Sequence, residues 1–318
     1  MNPLRLVFMG TAELACASLQ RLAGEPNVRV IAVVTQPDRP KGRELKLQPP
    51  PVKALARHLG LPVLQPERAR HETFMQELKE LGPDLIVVAA YGQILPPAIL
   101  DLPRFGCLNV HTSLLPKYRG AAPIQWAILN DEAETGVTIM KMDPGLDTGD
   151  ILSQTVTPIS SADNAETLHD RLAALGAELL VETIPGYLGG AILPRPQPKE
   201  GANYARKISK QDGHLDWGEP ARALWNRVRA FIPWPGAFAY LPSKPPGKPR
   251  LLKIWEAVAT EWIPGNPGQI LAADKQGIVV GCAGGALRIL QLQPEGGRRL
   301  TAQEFLAGHP LAIGEQLA

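Results

Sequence analysis

Apolar residues in the first half of the chain alternate between two rhythms. The runs LRLVF (4–8), VRVIAVVT (28–35) and DLIVVAAY (84–91) are β-branched and nearly continuous, as strands covered on both faces must be. Between them lie stretches with helical period. In 12–23, Leu14, Ser18, Leu19 and Leu22 share one face; VKALARHLG (52–60) and 70–81 repeat the pattern around a short strand at LPVLQ (61–65). CLNVHT (107–112) is predicted as a further strand, and PIQWAILN (123–130) as a helix with proline in its first turn. TGVTIMKM and DILSQTVTPI read as a hairpin, and a long amphipathic helix is predicted over about 163–183. Such alternation predicts an α/β fold with a doubly wound, mainly parallel sheet, Rossmann-like in its layering.

Glycine and proline then gather in LGGAILPRPQPKEGANYA (188–205), which reads as a linker. The expected organisation is a first domain over 1–189, a linker over 190–205 and a second domain over 206–318. Beyond the linker come a helical pattern (219–231) and short strand-like runs at AFAYL, LLKIWEAV, GQILAA, GIVVG and ALRILQL. Short strands separated by turn signals predict a small OB-like β-barrel.

Composition narrows the class. A chain of 318 residues, 45% hydrophobic and 20% charged, has enough apolar material for sizeable cores. Its three cysteines, Cys16, Cys107 and Cys282, are far apart, which argues against a disulfide framework or a zinc site and for a reducing compartment. MNPLRLVFMGT reads as a strand rather than a signal peptide, and no apolar run reaches the roughly 18 residues of a membrane helix. A cytoplasmic monomer is expected. Net charge is +2 but unevenly spread: residues 1–189 hold 17 basic and 21 acidic side chains, residues 190–318 hold 16 and 10. A basic second half points to a polyanionic partner.

Candidate chemistry sits where polar residues interrupt a buried strand. Asn109 and His111 in CLNVHT lie two residues apart and so point the same way. They fall near the carboxyl end of their strand, where open α/β sheets bind ligands. An amide there can donate to an oxygen that gains charge, and an imidazole can carry a proton or donate as well. The turn MDPGLDTGD (142–150) offers Asp143, Asp147 and Asp150, with glycines for a tight bend. It lacks the ligand spacing of a calcium loop, and Gly10 lacks the following glycines of a dinucleotide fingerprint, so neither metal nor nicotinamide is expected.

The stretches LNVHTSLLPKYRGAAPIQWAI and GVTIMKMDPGLDTGDIL together resemble the folate-dependent formyltransferase superfamily, and the likeness runs over nearly the whole chain. Within it, TQPDRPKGRELKLQPPPVK (35–53) and the basic second half resemble the branch that acts on transfer RNA. The resemblance implies transfer of a formyl group from 10-formyltetrahydrofolate to the α-amine of methionine esterified to initiator tRNA. It also implies Asn109, His111 and Asp147 as the catalytic set and Ser113, Leu114, Leu115 and Pro116 as a folate-contacting loop. Whether His111 works as oxyanion donor or as acid is left open at this level.

The same resemblance assigns the 35–53 loop to tRNA. Arg39, Lys41, Arg43, Lys46, Lys53 and Arg57 stand against one acid, Glu44, in a stretch stiffened by prolines. Arg39, Lys41, Arg43 and Lys46 are the expected contacts, Arg43 nearest the acceptor end, because cations on a projecting loop supply phosphate contacts. In the second half Arg206 and Lys207 are expected contacts, followed by Lys210, then Arg222, Arg227 and Arg229 on the predicted helix, and Lys244, Lys248 and Arg250 in SKPPGKPR. Trp217, Trp225 and Trp234 are expected in core or hinge packing. Two rival readings remain: a small-molecule acceptor, which leaves the basic segments unexplained, and an RNA-binding scaffold without chemistry, which leaves Asn109, His111 and Asp147 without a purpose.

Overall fold

The structure is a computed structural model that describes residues 2–41, 46–241, 249–260 and 265–318. In its first part run β1 (Leu4–Gly10), α1 (Leu14–Ala23), β2 (Val28–Val34), β3 (Arg39–Lys41), β4 (Lys46–Gln48), α2 (Pro51–His58), β5 (Val63–Leu64), α3 (Glu72–Leu81) and β6 (Leu85–Ala89). There follow α4 (Pro97–Leu100), β7 (Cys107–His111), β8 (Arg119–Gly120), α5 (Pro123–Leu129), β9 (Glu134–Lys141), β10 (Ile151–Pro158), α6 (Ala165–Leu188) and β11 (Tyr204–Ala205). The chain divides into two compact units. One comprises Met1–Pro123, Glu134–Pro158 and His169–Ala205; the other comprises Ile124–Ala133, Ile159–Leu168 and Arg206–Ala318.

The first unit is built on a seven-stranded sheet in the order β10-β9-β7-β6-β1-β2-β5. β5, β2, β1, β6 and β7 are mutually parallel, and the β9–β10 hairpin adds antiparallel strands beyond β7. Leu6, Val7, Phe8 and Met9 are all fully buried, so both faces of the central strand are covered, as the continuous apolar run requires. One of those faces packs Val7, Met9, Ile86 and Val88 against Phe74 and Leu78 of α3 and Ile99 of α4. α2 starts on Pro51 at a position where no helical N–H is needed, and α3 stops at Gly82, which takes the left-handed conformation (φ 53°).

α6 extends past the predicted end at 183 to Leu188 with Pro185 inside it. A proline this near the C-terminus removes a single backbone donor, and Gly189 N–H still closes on the Pro185 carbonyl (3.0 Å). The segment read as a linker lies along the first unit. Arg195 exchanges backbone hydrogen bonds with Ile151, and β11 pairs with β8.

The second unit continues with α7 (Ala221–Ala230), β12 (Ala237–Leu241), β13 (Arg250–Thr260), β14 (Ile270–Asp274), β15 (Gly277–Gly281), β16 (Ala286–Pro294), β17 (Leu300–Thr301) and α8 (Ala302–Gly308). The antiparallel order β12-β13-β16-β15-β14 places β12 and β14 at opposite edges. Residues 315–318 join those edges: Ala318 exchanges hydrogen bonds with Tyr240 on β12, while Glu315 accepts from Ile270 on β14. Leu252, Ile254, Ile278, Val280, Leu287 and Ile289 fill the interior with Leu224, Trp225 and Val228 of α7. α8, which no apolar pattern foretells, is started by a capping box between Thr301 and Glu304.

Candidate active site

β7 enters the sheet between parallel β6 and antiparallel β9, with Asn109 opposite Val88 and Met140 and His111 opposite Thr138. Asn109 is half-buried and His111 buried, both near the carboxyl end of the strand. Asp147, from the turn between β9 and β10, reaches both. Its Oδ1 accepts from Asn109 Nδ2 at 3.3 Å, and its Oδ2 lies 3.7 Å from His111 Nδ1. The other imidazole nitrogen is 2.9 Å from the Tyr118 carbonyl. A carbonyl can only accept, so Nε2 carries the proton of that bond and Nδ1 is the nitrogen turned toward the carboxylate.

The carboxylate is held from several sides. Gly120 N–H donates to Asp147 Oδ2 at 2.8 Å, and Gln197 Nε2 donates to the backbone carbonyls of Asp147 (2.8 Å) and Gly149 (2.7 Å). The Gln197 oxygen accepts in turn from Arg119, at 2.7 and 3.1 Å. Asp147 itself sits in the left-handed region at φ 53°, a conformation this clasp maintains. Two glycines are required by space. A Cβ at Gly149 would meet the Lys141 carbonyl at 1.9 Å, and one at Gly120, φ +108°, would meet the Ala205 carbonyl at 2.8 Å.

The three aspartates of the turn therefore separate. Asp143 accepts from Thr148 Oγ1 and Gly145 N–H and serves the turn itself, while Asp147 alone joins Asn109 and His111. Gln197, Tyr118 and Gly120 were not anticipated. Two of the three act wholly through backbone groups, and Gln197 lies in the segment read as a linker, so no residue-type signal marks them.

In the loop after β7, Ser113 is fully buried with its hydroxyl donating to the Lys117 carbonyl at 2.6 Å. Leu115 packs with Met140 and Ile151, and its carbonyl accepts from Gln154 Nε2. Leu114 and Pro116 remain partly exposed, so their side chains are the members of this set able to touch a ligand.

The basic residues also separate. β3 and β4 pair Arg39 with Gln48 across an antiparallel ribbon, with Arg39 and Lys46 exposed. Arg43 lies outside the described residues, as do Lys244 and Lys248. Lys53, counted in sequence among the loop cations, is buried: its ammonium donates to both Asp38 oxygens at 2.7 and 2.8 Å. That bond, with one from Gln65, holds the Asp38 carboxyl below its ordinary range and ties the two ends of the basic loop together.

In the second unit Lys207 is exposed, but Arg206 is paired bidentately with Asp212, its guanidinium lying over the Trp126 ring. The α7 arginines, expected to offer a basic face, are occupied. Arg222 binds Asp131, Arg227 binds Glu219, and buried Arg229 donates to the carbonyls of Ser160 and Asp163 and to Asn226. Burial pushes the Arg229 guanidinium down from its ordinary pKa. Trp217 and Trp225 are in the core as expected, whereas Trp234 is 56% exposed.

Comparison with known proteins identifies the family. Residues 4–184 match the formyl transferase model and residues 207–310 the formyl transferase C-terminal domain model. The chain is 50% identical over 314 residues to the methionyl-tRNA formyltransferase of Citrifermentans bemidjiense, covering 99% of this chain and 96% of that one. It is 50% identical over 318 residues to that of Geobacter metallireducens, covering 100% and 99%. Among solved structures, an N-formyltransferase from Helicobacter canadensis in complex with folinic acid and dTDP-3-aminofucose shares the fold at TM-score 0.63 and 20% identity, over 93% of this chain and 100% of its own. HypX from Aquifex aeolicus in complex with tetrahydrofolic acid does so at 0.60 and 19%, over 99% of this chain and 50% of its own. With both domain models matched in order and half of all positions identical along its length, the chain belongs to the formyl transferase family, among the methionyl-tRNA formyltransferases.

Proposed function

We propose that the Asn109–His111–Asp147 cluster transfers the formyl group of 10-formyltetrahydrofolate to the α-amine of methionyl initiator tRNA, in the cytoplasm and as a monomer. The observation that carries this reading is the meeting of two side chains of one strand, Asn109 and His111, with the Asp147 carboxylate from a separate segment, at 3.3 and 3.7 Å. The neutral amine adds to the formyl carbon, the π electrons of its carbonyl moving to oxygen to give a tetrahedral oxyanion; collapse of that oxyanion then breaks the bond from the same carbon to the folate nitrogen. Negative charge gathers on the formyl oxygen, and the half-buried Asn109 amide, with one hydrogen on Asp147, has a second to donate to it. His111 has Nε2 fixed on the Tyr118 carbonyl, so its Nδ1 is the site that takes or gives a proton beside Asp147. The 3.7 Å gap between Nδ1 and Oδ2 exceeds a direct hydrogen bond and suits a bridging water, through which the amine's proton passes to the leaving folate nitrogen.

The donor fits the residues available. Leu114 and Pro116 offer partly exposed apolar surface to a flat ring, and the buried Ser113 and Leu115 hold that loop in place. On the acceptor side Arg39, Lys41, Arg43 and Lys46 would take phosphates near the acceptor end, positioned by the Lys53–Asp38 clamp at the loop's root. Lys207 would contribute from the second unit, whereas Arg206 would have to share its guanidinium with Asp212. The first unit thus carries the chemistry and the second carries RNA affinity.

The test compares acceptors. Formyl transfer to charged initiator tRNA, with free methionine and glycinamide ribonucleotide as alternatives, should proceed on the tRNA alone. Equal or better use of either small amine would overturn the assignment.

A further inference from the structure

The outward face of the antiparallel sheet in the second unit is not the polar surface that such a face ordinarily presents. Across three strands, Phe238 on β12 stands opposite Lys253 on β13, which stands opposite Gln293 on β16. Trp255 follows on the same side of β13, half-buried, its indole N–H donating to Gln293 Oε1 at 2.9 Å. The Arg299 guanidinium lies 3.9 Å from the Trp255 ring centroid and the Lys253 ammonium 5.8 Å from it. Beside them exposed His214 sits 5.4 Å from Phe238 and 5.7 Å from Tyr240, with Phe238 and Tyr240 edge-to-face at 5.8 Å. All of these residues lie outside the hydrophobic core of the unit.

The neighbouring charges sharpen the contrast. Arg298, adjacent in sequence, is paired with Glu304, whereas among the described residues no carboxylate pairs with Arg299 or Lys253. Glu256, the nearest acid along β13, is engaged by Gln291 at 2.6 Å. The turn that carries Arg299 is fastened to the sheet by Gln293, whose amide donates to the Gly297 carbonyl at 2.7 Å. Flat aromatic rings beside cations that lack a counter-ion recognise RNA: rings and guanidinium planes stack on bases, and the cations neutralise phosphates.

We propose that this face, centred on Trp255 with Arg299 and Lys253, is an RNA-contact surface for the tRNA substrate, and that it replaces the α7 arginines as the principal basic contact of the second unit. The proposal rests on the tRNA reading above. It follows from the pairing of the charges: Arg222 and Arg227 of α7 are each matched by a carboxylate and Arg229 is buried, whereas no carboxylate among the described residues pairs with Arg299 or Lys253.

The test measures equilibrium binding of uncharged initiator tRNA against salt, and formylation of the charged tRNA, in the full-length protein. The variants are the double substitution Lys253→Gln with Arg299→Gln and, separately, Trp255→Leu. Loss of two phosphate contacts should lower the slope of log affinity against log salt by about 1.4–1.8. It should raise KM for the charged tRNA by roughly tenfold at moderate salt, a size that follows from the loss of two cation contacts, with kcat within about twofold. Trp255→Leu should weaken binding by at least about fivefold if a base stacks there. A purely structural role would lower the melting temperature and leave the salt slope alone, and a face built for an acidic protein would leave all tRNA readouts unchanged. Either result overturns the proposal. Wild-type protein that fails to formylate the charged tRNA would instead sink the underlying function, so the two failures are distinguishable.

Discussion

Two polar clusters in this molecule look alike in sequence and differ in the fold. Asn109, His111 and Asp147 are held by backbone groups and by Gln197 so that the Asn109 amide and the Nδ1 edge of His111 keep unused capacity pointing at one place. On α7 the charges of Arg222, Arg227 and Arg229 are spent within the fold, and two donors left over there, Arg227 Nε and Arg229 Nε, are buried. Their guanidiniums meet Asp131, Glu219 and a set of buried carbonyls inside their own unit. The difference teaches that the number of polar residues in a segment says little about its availability. What matters is whether the neighbours leave a donor or acceptor both unmatched and within reach of a ligand.

The largest expected effect tests the first cluster. His111→Ala or Asp147→Asn should each lower kcat by about 10²–10³. Affinity for tRNA should stay within a few-fold, as read by single-turnover formylation beside equilibrium binding. Turnover retained by either variant would remove that group from the chemistry. A middling effect tests the second cluster. Arg229→Met leaves the Ser160 and Asp163 carbonyls and Asn226 without their donor, at a cost of about 1–3 kcal/mol in denaturant unfolding. The salt dependence of tRNA binding should not change; a shallower slope would mean that this buried guanidinium reaches phosphate after all.

The smallest effect concerns the Arg298–Glu304 pair that separates Arg298 from its open neighbour. Glu304 is held at about 2, chiefly by the Thr301 backbone N–H and then by Arg298, against an ordinary value of 4.5. A depressed folded-state value means that its contribution is complete above about 4.5 and disappears as pH falls toward 2. Glu304→Gln should therefore melt lower than wild type at pH 7, and the gap should close between pH 4.5 and 2. A gap that stays constant with pH would show that the carboxylate charge is not what stabilises this corner.

Much of the fold was legible because period and burial agree: β6 and the later residues of β1 and β2 are apolar runs that lie buried, Ala32–Val34 and Leu6–Met9 among them. The two-residue spacing of Asn109 and His111 likewise survives as a shared face. Legibility fails where geometry is made by the backbone or by distant partners. Nothing in the residue types marks the Tyr118 carbonyl as the group that orients His111, or sets Asp147 apart from Asp143 within one turn. Lys53 was misread for the same reason. A lysine in a basic stretch looks solvated until Asp38 is found beside it. The helix predicted to 183 runs on through Pro185 to Leu188, because the cost of a proline depends on how near the terminus it falls, which periodicity does not register.

Gln197 has a practical consequence for anyone dissecting the molecule. The family model for the first domain ends at residue 184, and a fragment trimmed there would retain Asn109, His111 and Asp147. It would lack the amide that grips the turn at Asp147 and Gly149, and also Asn203, which accepts from the Tyr118 N–H. Such a fragment would keep the three proposed reactive groups and lose the splint that aligns them. An isolated formylating module from this chain has to extend through Ala205, where β11 completes its pairing with β8.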